Sequence, residues 1–144
     1  MQAPTFPTAS LLVASGGAVG AWARYLVGRA TNAILGPVRA TDFPWATLTC
    51  NVAGSLFMGL LVGWLARHGA QGGDWGGDWG GEHWRLLLGV GVLGGFTTFS
   101  AFSMECAMLV ERGVLGMAAG YVALSLIASF AGLFAGLWLM RSFA

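Results

Sequence analysis

Residues 94–103 read GGFTTFSAFS, where Thr97, Thr98, Ser100 and Ser103 place four hydroxyls beside three phenyl rings, Phe96, Phe99 and Phe102. Phe99 and Phe102 are three apart, so a helix puts them on one face. The edge of an aromatic ring is electropositive and can meet an anion without gripping it by a fixed charge. The same pair can also be plain core or lipid-facing surface. Two further polar sets recur at intervals of four: Thr47, Asn51 and Ser55, then Tyr121, Ser125 and Ser129. Such spacing lines a set along one helix face. Every member can donate a hydrogen bond, and none carries a permanent charge. Two such stripes can bond to each other as structural glue. They can also line a path where an anion trades water for donors without being trapped, the compromise that conduction needs.

Ionisable groups are few in this setting. Glu105 follows one turn after Phe102 and could pair with Arg112 or with an arginine of a partner. Arg24 could bond a backbone carbonyl, make a vestibule electropositive, or snorkel to the interface. Cys50 and Cys106 lie in apolar stretches without CxxC spacing, and the only histidines, His68 and His83, flank a loop. That pattern reads as small apolar packing, not as a metal site. No nucleophile, base and orienting group converge, so an enzyme is not expected.

Composition dictates what positions these groups. Of 144 residues, 56% are hydrophobic and 9% charged, with a mean hydropathy of +0.71. Soluble domains carry about 25% charged residues to solvate their surface. Lipid is the better solvent for this chain. The net charge of +1 supplies no basic field for nucleic acid.

Four apolar stretches, about 10–35, 45–66, 85–110 and 114–140, approach the roughly 20 residues that cross a hydrocarbon core. Lipid forces each to satisfy its own backbone, so helices are expected. The fold class is an all-α membrane protein, a single four-helix transmembrane domain over residues 1–144. Residues 1–9 hold two prolines and no basic residue, and read as a short tail, not a secretory signal. The connection 67–84 is rich in Gly and Trp and contains GGDW twice, at 72–75 and 76–79. It reads as a flexible linker with tryptophans at the membrane interface, although Trp75 and Trp79 could stack on a ligand. ERGV, residues 111–114, reads as a tight hairpin.

Gly16/Gly20, Gly59/Gly63, Gly91/Gly95, Gly116/Gly120 and Gly132/Gly136 clear side-chain bulk from helix faces and invite close packing. In the third stretch, Gly94 and Gly95 each cost about 1 kcal/mol of helix propensity relative to alanine. The hydroxyls that follow compete for backbone groups. Together they predict a break at about 94–98, with a kinked packing helix as the alternative. The chain has no lysine. Arg67, Arg85 and Arg141 fall on the side of the N-terminus, against Arg29, Arg39 and Arg112 on the other. Charge alone then gives little to orient the chain. Either orientation is open to it, and antiparallel dimers could form, unless the first helix decides alone.

With GAVGAWARY (17–25), WATLTCNVAGS (45–55), GVGVLGGFTTFSAFSMEC (89–106), ERG (111–113) and Tyr121, the chain resembles the Fluc/CrcB fluoride-channel family over nearly its whole length. GGFTTFSAFS is the most specific element. The resemblance implies an antiparallel, dual-topology homodimer in the bacterial inner membrane, with two fluoride pores giving passive export. It implies that Phe99 and Phe102 line the pore with the Asn51 amide, and that Tyr121, Ser125 and Ser129 continue a polar track. Thr98 and Ser100 belong to the same lining, and Arg24 and Glu105 to a vestibule. The carbonyls of Gly94 and Thr97 would hold a structural Na+ on the two-fold axis. Ala101 and Cys50 replace the threonine and valine common in the family, and Ala101 leaves one pore hydroxyl in doubt. Two other readings compete: a small dual-topology cation or multidrug antiporter, which needs a membrane-embedded acid, and a non-transporting assembly protein.

Overall fold

The computed structural model describes residues 3–68 and 80–142, and it is all-helical. The GGDW repeats at 72–79 lie outside the described residues. Helix α1 (Phe6–Asp42) is capped by extended Thr5 and takes Pro7 in its first turn, where a missing N–H costs nothing. Residues 6–9, expected as tail, are therefore helical. At Gly36 the backbone swings to φ 78 and ψ 160 just before Pro37. Proline disfavours helical angles in the residue before it, and glycine accepts the positive φ at no steric cost. The last residues of α1 follow this kink as a short helical end.

Helix α2 spans Trp45–His68. The third span is assembled from α3 (Gly81–Trp84), a π-helical segment π1 (Arg85–Leu93), α4 (Gly94–Phe96) and α5 (Phe99–Glu111). It begins at Gly81, inside the stretch expected as loop. Gly113, at φ 76, makes the turn into α6 (Leu115–Ser142). Among the described residues, four spans are long and apolar enough to cross a bilayer: Phe6–Asp42, Trp45–Arg67, Gly81–Glu111 and Leu115–Ser142. The chain is a multi-pass membrane protein.

Helix α2 packs along α6, and α1 packs along π1 and α4. Glycines make both contacts possible. A Cβ on Gly20 would run into the Val92 carbonyl oxygen, and one on Gly136 into the Leu56 carbonyl oxygen. Gly116 and Gly120, in contrast, meet nothing within 4 Å. The buried cluster is small: Leu48, Leu109, Ala118 and Tyr121, with Phe43, Val52, Phe102, Cys106 and Val114 around it. Many large apolar side chains point outward, among them Ile34, Phe57, Ile127 and Trp138. A chain solvated by lipid keeps its greasy surface outside, and close backbone packing replaces a broad hydrophobic core.

Candidate functional site

The site is organised around two extended residues. Thr97 (φ −85, ψ 157) and Thr98 (φ −154, ψ 120) separate α4 from α5. The Thr97 N–H still donates to the Leu93 carbonyl at 3.0 Å, but the backbone groups of Thr98 find partners outside the helical ladder. Helical geometry would send the Thr98 N–H to the Gly94 carbonyl; it goes instead to Asn51 Oδ1 at 2.9 Å. Asn51 Nδ2 in turn donates to the Thr98 carbonyl at 3.3 Å. One side-chain amide on α2 thus clamps both polar backbone groups of Thr98 and retains one N–H. Thr98 Oγ1 accepts the Ala101 N–H at 3.2 Å and caps α5, and it also lies 3.2 Å from Ser100 Oγ. A threonine cap of this kind is what starts a helix. On the other side of the link, Arg24 Nε donates to the Gly95 carbonyl at 3.3 Å.

Next to the link, a cavity of about 440 Å³ opens between α2, α5 and α6. Asn51, Ser55, Thr97, Thr98, Phe99, Phe102, Ser125 and Ser129 all border it, with Met58, Leu126, Phe130 and Leu133 forming the apolar walls. Ser125 is 5% exposed, and its hydroxyl has no hydrogen-bond partner. Among the described residues, Ser55 and Ser129 likewise donate to no protein group. Elsewhere the chain treats hydroxyls differently. Ser10, Ser15, Thr31, Ser103 and Ser142 each donate to a carbonyl four residues back. That back-bonding is the ordinary fate of a helical serine or threonine. The serines of the cavity keep their donors for something else.

Phe99 and Phe102 sit with ring centroids 5.8 Å apart, and Phe102 lies 5.2 Å from the Tyr121 ring. Phe99 is 79% exposed, standing at the open side of the cavity. Tyr121 itself is fully buried and does not border the cavity. Its hydroxyl donates to Glu105 Oε2 at 2.7 Å, while Thr47 Oγ1 donates to Oε1 at 2.7 Å. The expected Glu105–Arg112 pair is therefore not formed. Arg112 reaches Asp42 Oδ1 at 3.6 Å and donates to the Thr41 carbonyl at 3.1 Å, because the α5–α6 turn faces the end of α1. Nor do the stripes of α2 and α6 bond to each other. Thr47 and Tyr121 meet through a carboxylate that neither stripe contains.

A second cavity, of about 460 Å³, is bordered by Arg24, Tyr25, Arg29, Asn32, Thr47 and Cys50. Thr47 therefore stands between it and Glu105. Gly94 borders neither cavity, and Ser100 is exposed beside Thr98. Sequence reasoning missed Thr47 as a partner of Glu105; its place one turn before Asn51 on a polar stripe was the available signal. It also missed Gly54, where a Cβ would collide with the Thr97 methyl group.

Residues 11–137 match the model of the CrcB-like protein family, Camphor Resistance (CrcB). The chain belongs to the CrcB-like family. A relative from Novosphingobium aromaticivorans, named a fluoride-specific ion channel FluC, is 55% identical over 137 residues, covering 95% of this chain and 99% of its own. Channels with the same name from Rhodospirillum centenum (52% identical, 92% of this chain, 94% of theirs) and Caulobacter vibrioides (47%, 91% and 94%) are also similar. For this CrcB-like chain, the likeness spans all four membrane segments and is not confined to the GGFTTFSAFS run.

Proposed function

We propose that this protein is a fluoride-selective channel that lets the ion leave the cytoplasm passively. The observation that carries the reading is the row of uncommitted donors at the cavity, Ser55, Ser125, Ser129 and the spare N–H of Asn51, whereas Ser10, Ser15, Thr31, Ser103 and Ser142 bond back to their own backbone. Fluoride is small, strongly hydrated and avid for hydrogen bonds. Neutral donors can replace its water stepwise without a charge to trap it. The Phe99 and Phe102 rims offer positive edges at the open side. The third span is read as a helix broken at Thr97–Thr98 to admit this path, an irregularity tolerated in a membrane where it lines a cavity.

The open flank of the cavity and the family's resemblance support a second copy of the chain, antiparallel, completing two pores. Arg24 and Glu105 belong with the approach to them. Nothing among the described residues donates a hydrogen bond to the Gly94 or Thr97 carbonyl, because the Thr98 and Ala101 N–H groups are taken by side chains. Two free carbonyls per subunit fit a hard monovalent cation, so the two copies would hold a structural Na+ there. The ion would tie the copies together electrostatically. The curated relatives are named as channels, not as enzymes.

Reconstitution decides the reading. Liposomes carrying the protein should release fluoride, read by a fluoride electrode, and retain chloride. Phe99→Ile and Phe102→Ile remove ring edges worth on the order of 1 kcal/mol, and each should slow release roughly fivefold while leaving the assembled protein intact by size exclusion. Wild-type vesicles that hold their fluoride would defeat the proposal. Proton-coupled uptake lost in Glu105→Gln would replace it with an antiporter.

A further inference from the structure

We infer that Arg24 is a divided positioning residue: its Nε fastens the end of α4 to α1, while its terminal nitrogens remain available to the cavity that it borders. The inference rests on the channel reading for its effect on flux, but the anchor is a claim about this fold alone. In a continuous helix the Gly95 carbonyl would accept the Phe99 N–H. With Thr97 and Thr98 extended, that donor is gone, and Arg24 Nε supplies the replacement at 3.3 Å. The carbonyl end of a helix carries partial negative charge, which a guanidinium complements. Arg24 is half-buried between α1 and α4, a place where an orphan carbonyl is costly.

The surrounding glycines show that this contact is built into the helix packing. A Cβ on Gly95 would collide with the Gly17 carbonyl oxygen, and one on Gly20 with the Val92 carbonyl oxygen and the Phe96 amide nitrogen. These bare positions let α1 lie close enough to α4 for the first N–H of a planar fork to reach backbone. On the far side of the link, Asn51 holds Thr98 and the bare Gly54 receives the Thr97 methyl. The link is thus fixed from both neighbours, α1 before it and α2 after it. Among the described residues, Nη1 and Nη2 of Arg24 donate to nothing, and the residue borders the cavity with Arg29, Tyr25, Asn32 and Thr47. Lysine cannot divide itself this way. Its single ammonium can meet the Gly95 oxygen or the cavity, whereas arginine presents separate donors in a fixed plane.

The test separates anchor from charge. Arg24→Lys keeps the charge, and Arg24→Gln keeps a donor without it. Hydrogen–deuterium exchange of the assembled protein reads the anchor directly. In Arg24→Lys, the segment 93–101 should exchange roughly tenfold faster or more, the scale of losing a hydrogen bond to a charged group, while peptides of α2 and α6 stay protected. Fluoride release should fall together with that protection, and Arg24→Gln should restore protection more than release. Unchanged exchange in Arg24→Lys overturns the anchor. Loosened exchange with undiminished release leaves the anchor standing and removes the link from the ion path. Should neither variant assemble, wild-type protein labelled with 15N-arginine and 13C-carbonyl glycine gives the answer by solid-state NMR. Transfer from an arginine Nε to a glycine carbonyl carbon is expected, and its absence overturns the inference.

Discussion

At the scale of single residues, Glu105 shows how a carboxylate is accommodated in a membrane span. It accepts from Thr47 on α2 and from Tyr121 on α6, so its two oxygens join helices that reach it from opposite sides. Both oxygens accept here, so two hydroxyl donors make a matched set. Either donor, once removed, leaves one oxygen desolvated without compensation. Tyr121→Phe and Thr47→Val should each destabilise the protein by about 1.5–3 kcal/mol, measured as a lowered thermal midpoint in detergent. Because they share one acceptor, the double variant should depart from the sum of the singles by at least about 0.5 kcal/mol. Strict additivity would mean that the two hydroxyls act separately. Tyr121→Phe keeps the ring and its edge-on contact with Phe43 at 5.5 Å, and Thr47→Val keeps nearly the same shape, so each variant removes little more than a hydroxyl.

Among elements, the helices meet where side chains are absent. Gly136 faces the Leu56 carbonyl, and Gly116, on the same helix, faces open space. Gly136→Ala must push α2 from α6, whereas Gly116→Ala should only gain helix propensity, about 1 kcal/mol. Thermal unfolding of the two variants should move in opposite directions, and a common direction would remove the packing explanation. The four apolar helices were legible in the sequence because a low charge content and span-length runs leave lipid as the only good solvent. The helical start at Phe6 was not, since Pro4 and Pro7 read as tail until Thr5 is seen at the N-cap position with Pro7 in the first turn. The glycine pairs look alike in sequence, yet Gly116/Gly120 meets no partner among the described residues. Polar stripes could be seen, but not their partners. Helical spacing fixes which residues share a face, whereas the bonds of Asn51 to Thr98 and of Thr47 to Glu105 join residues 47 and 58 positions apart.

For the molecule as a whole, what matters is how little of it is finished. Phe99, beside the cavity, is 79% exposed, and the hydroxyl-bearing flank of α5 lies open with Ser100 and Ser103 outward. Ser103 donates to the Phe99 carbonyl and Ser100 lies against Thr98, yet each oxygen keeps acceptor capacity that lipid cannot meet, so a second protein surface would suit this flank better than lipid. A second copy turned the other way would bring the same flank against its counterpart, and the balance of arginines, with no lysine, places no strong bar on that inversion. Single cysteines introduced at Phe6 and at the exposed Glu111 of a variant lacking Cys50 and Cys106 should each be labelled by an impermeant maleimide on about half the molecules in sealed vesicles. Three arginines appended after Ala144 should fix one orientation, since positively charged segments stay in the cytoplasm. Fluoride release should then collapse, and return when that variant is expressed together with one biased the opposite way. Full release by the single-orientation population would mean that each copy conducts alone, with α5 facing lipid after all.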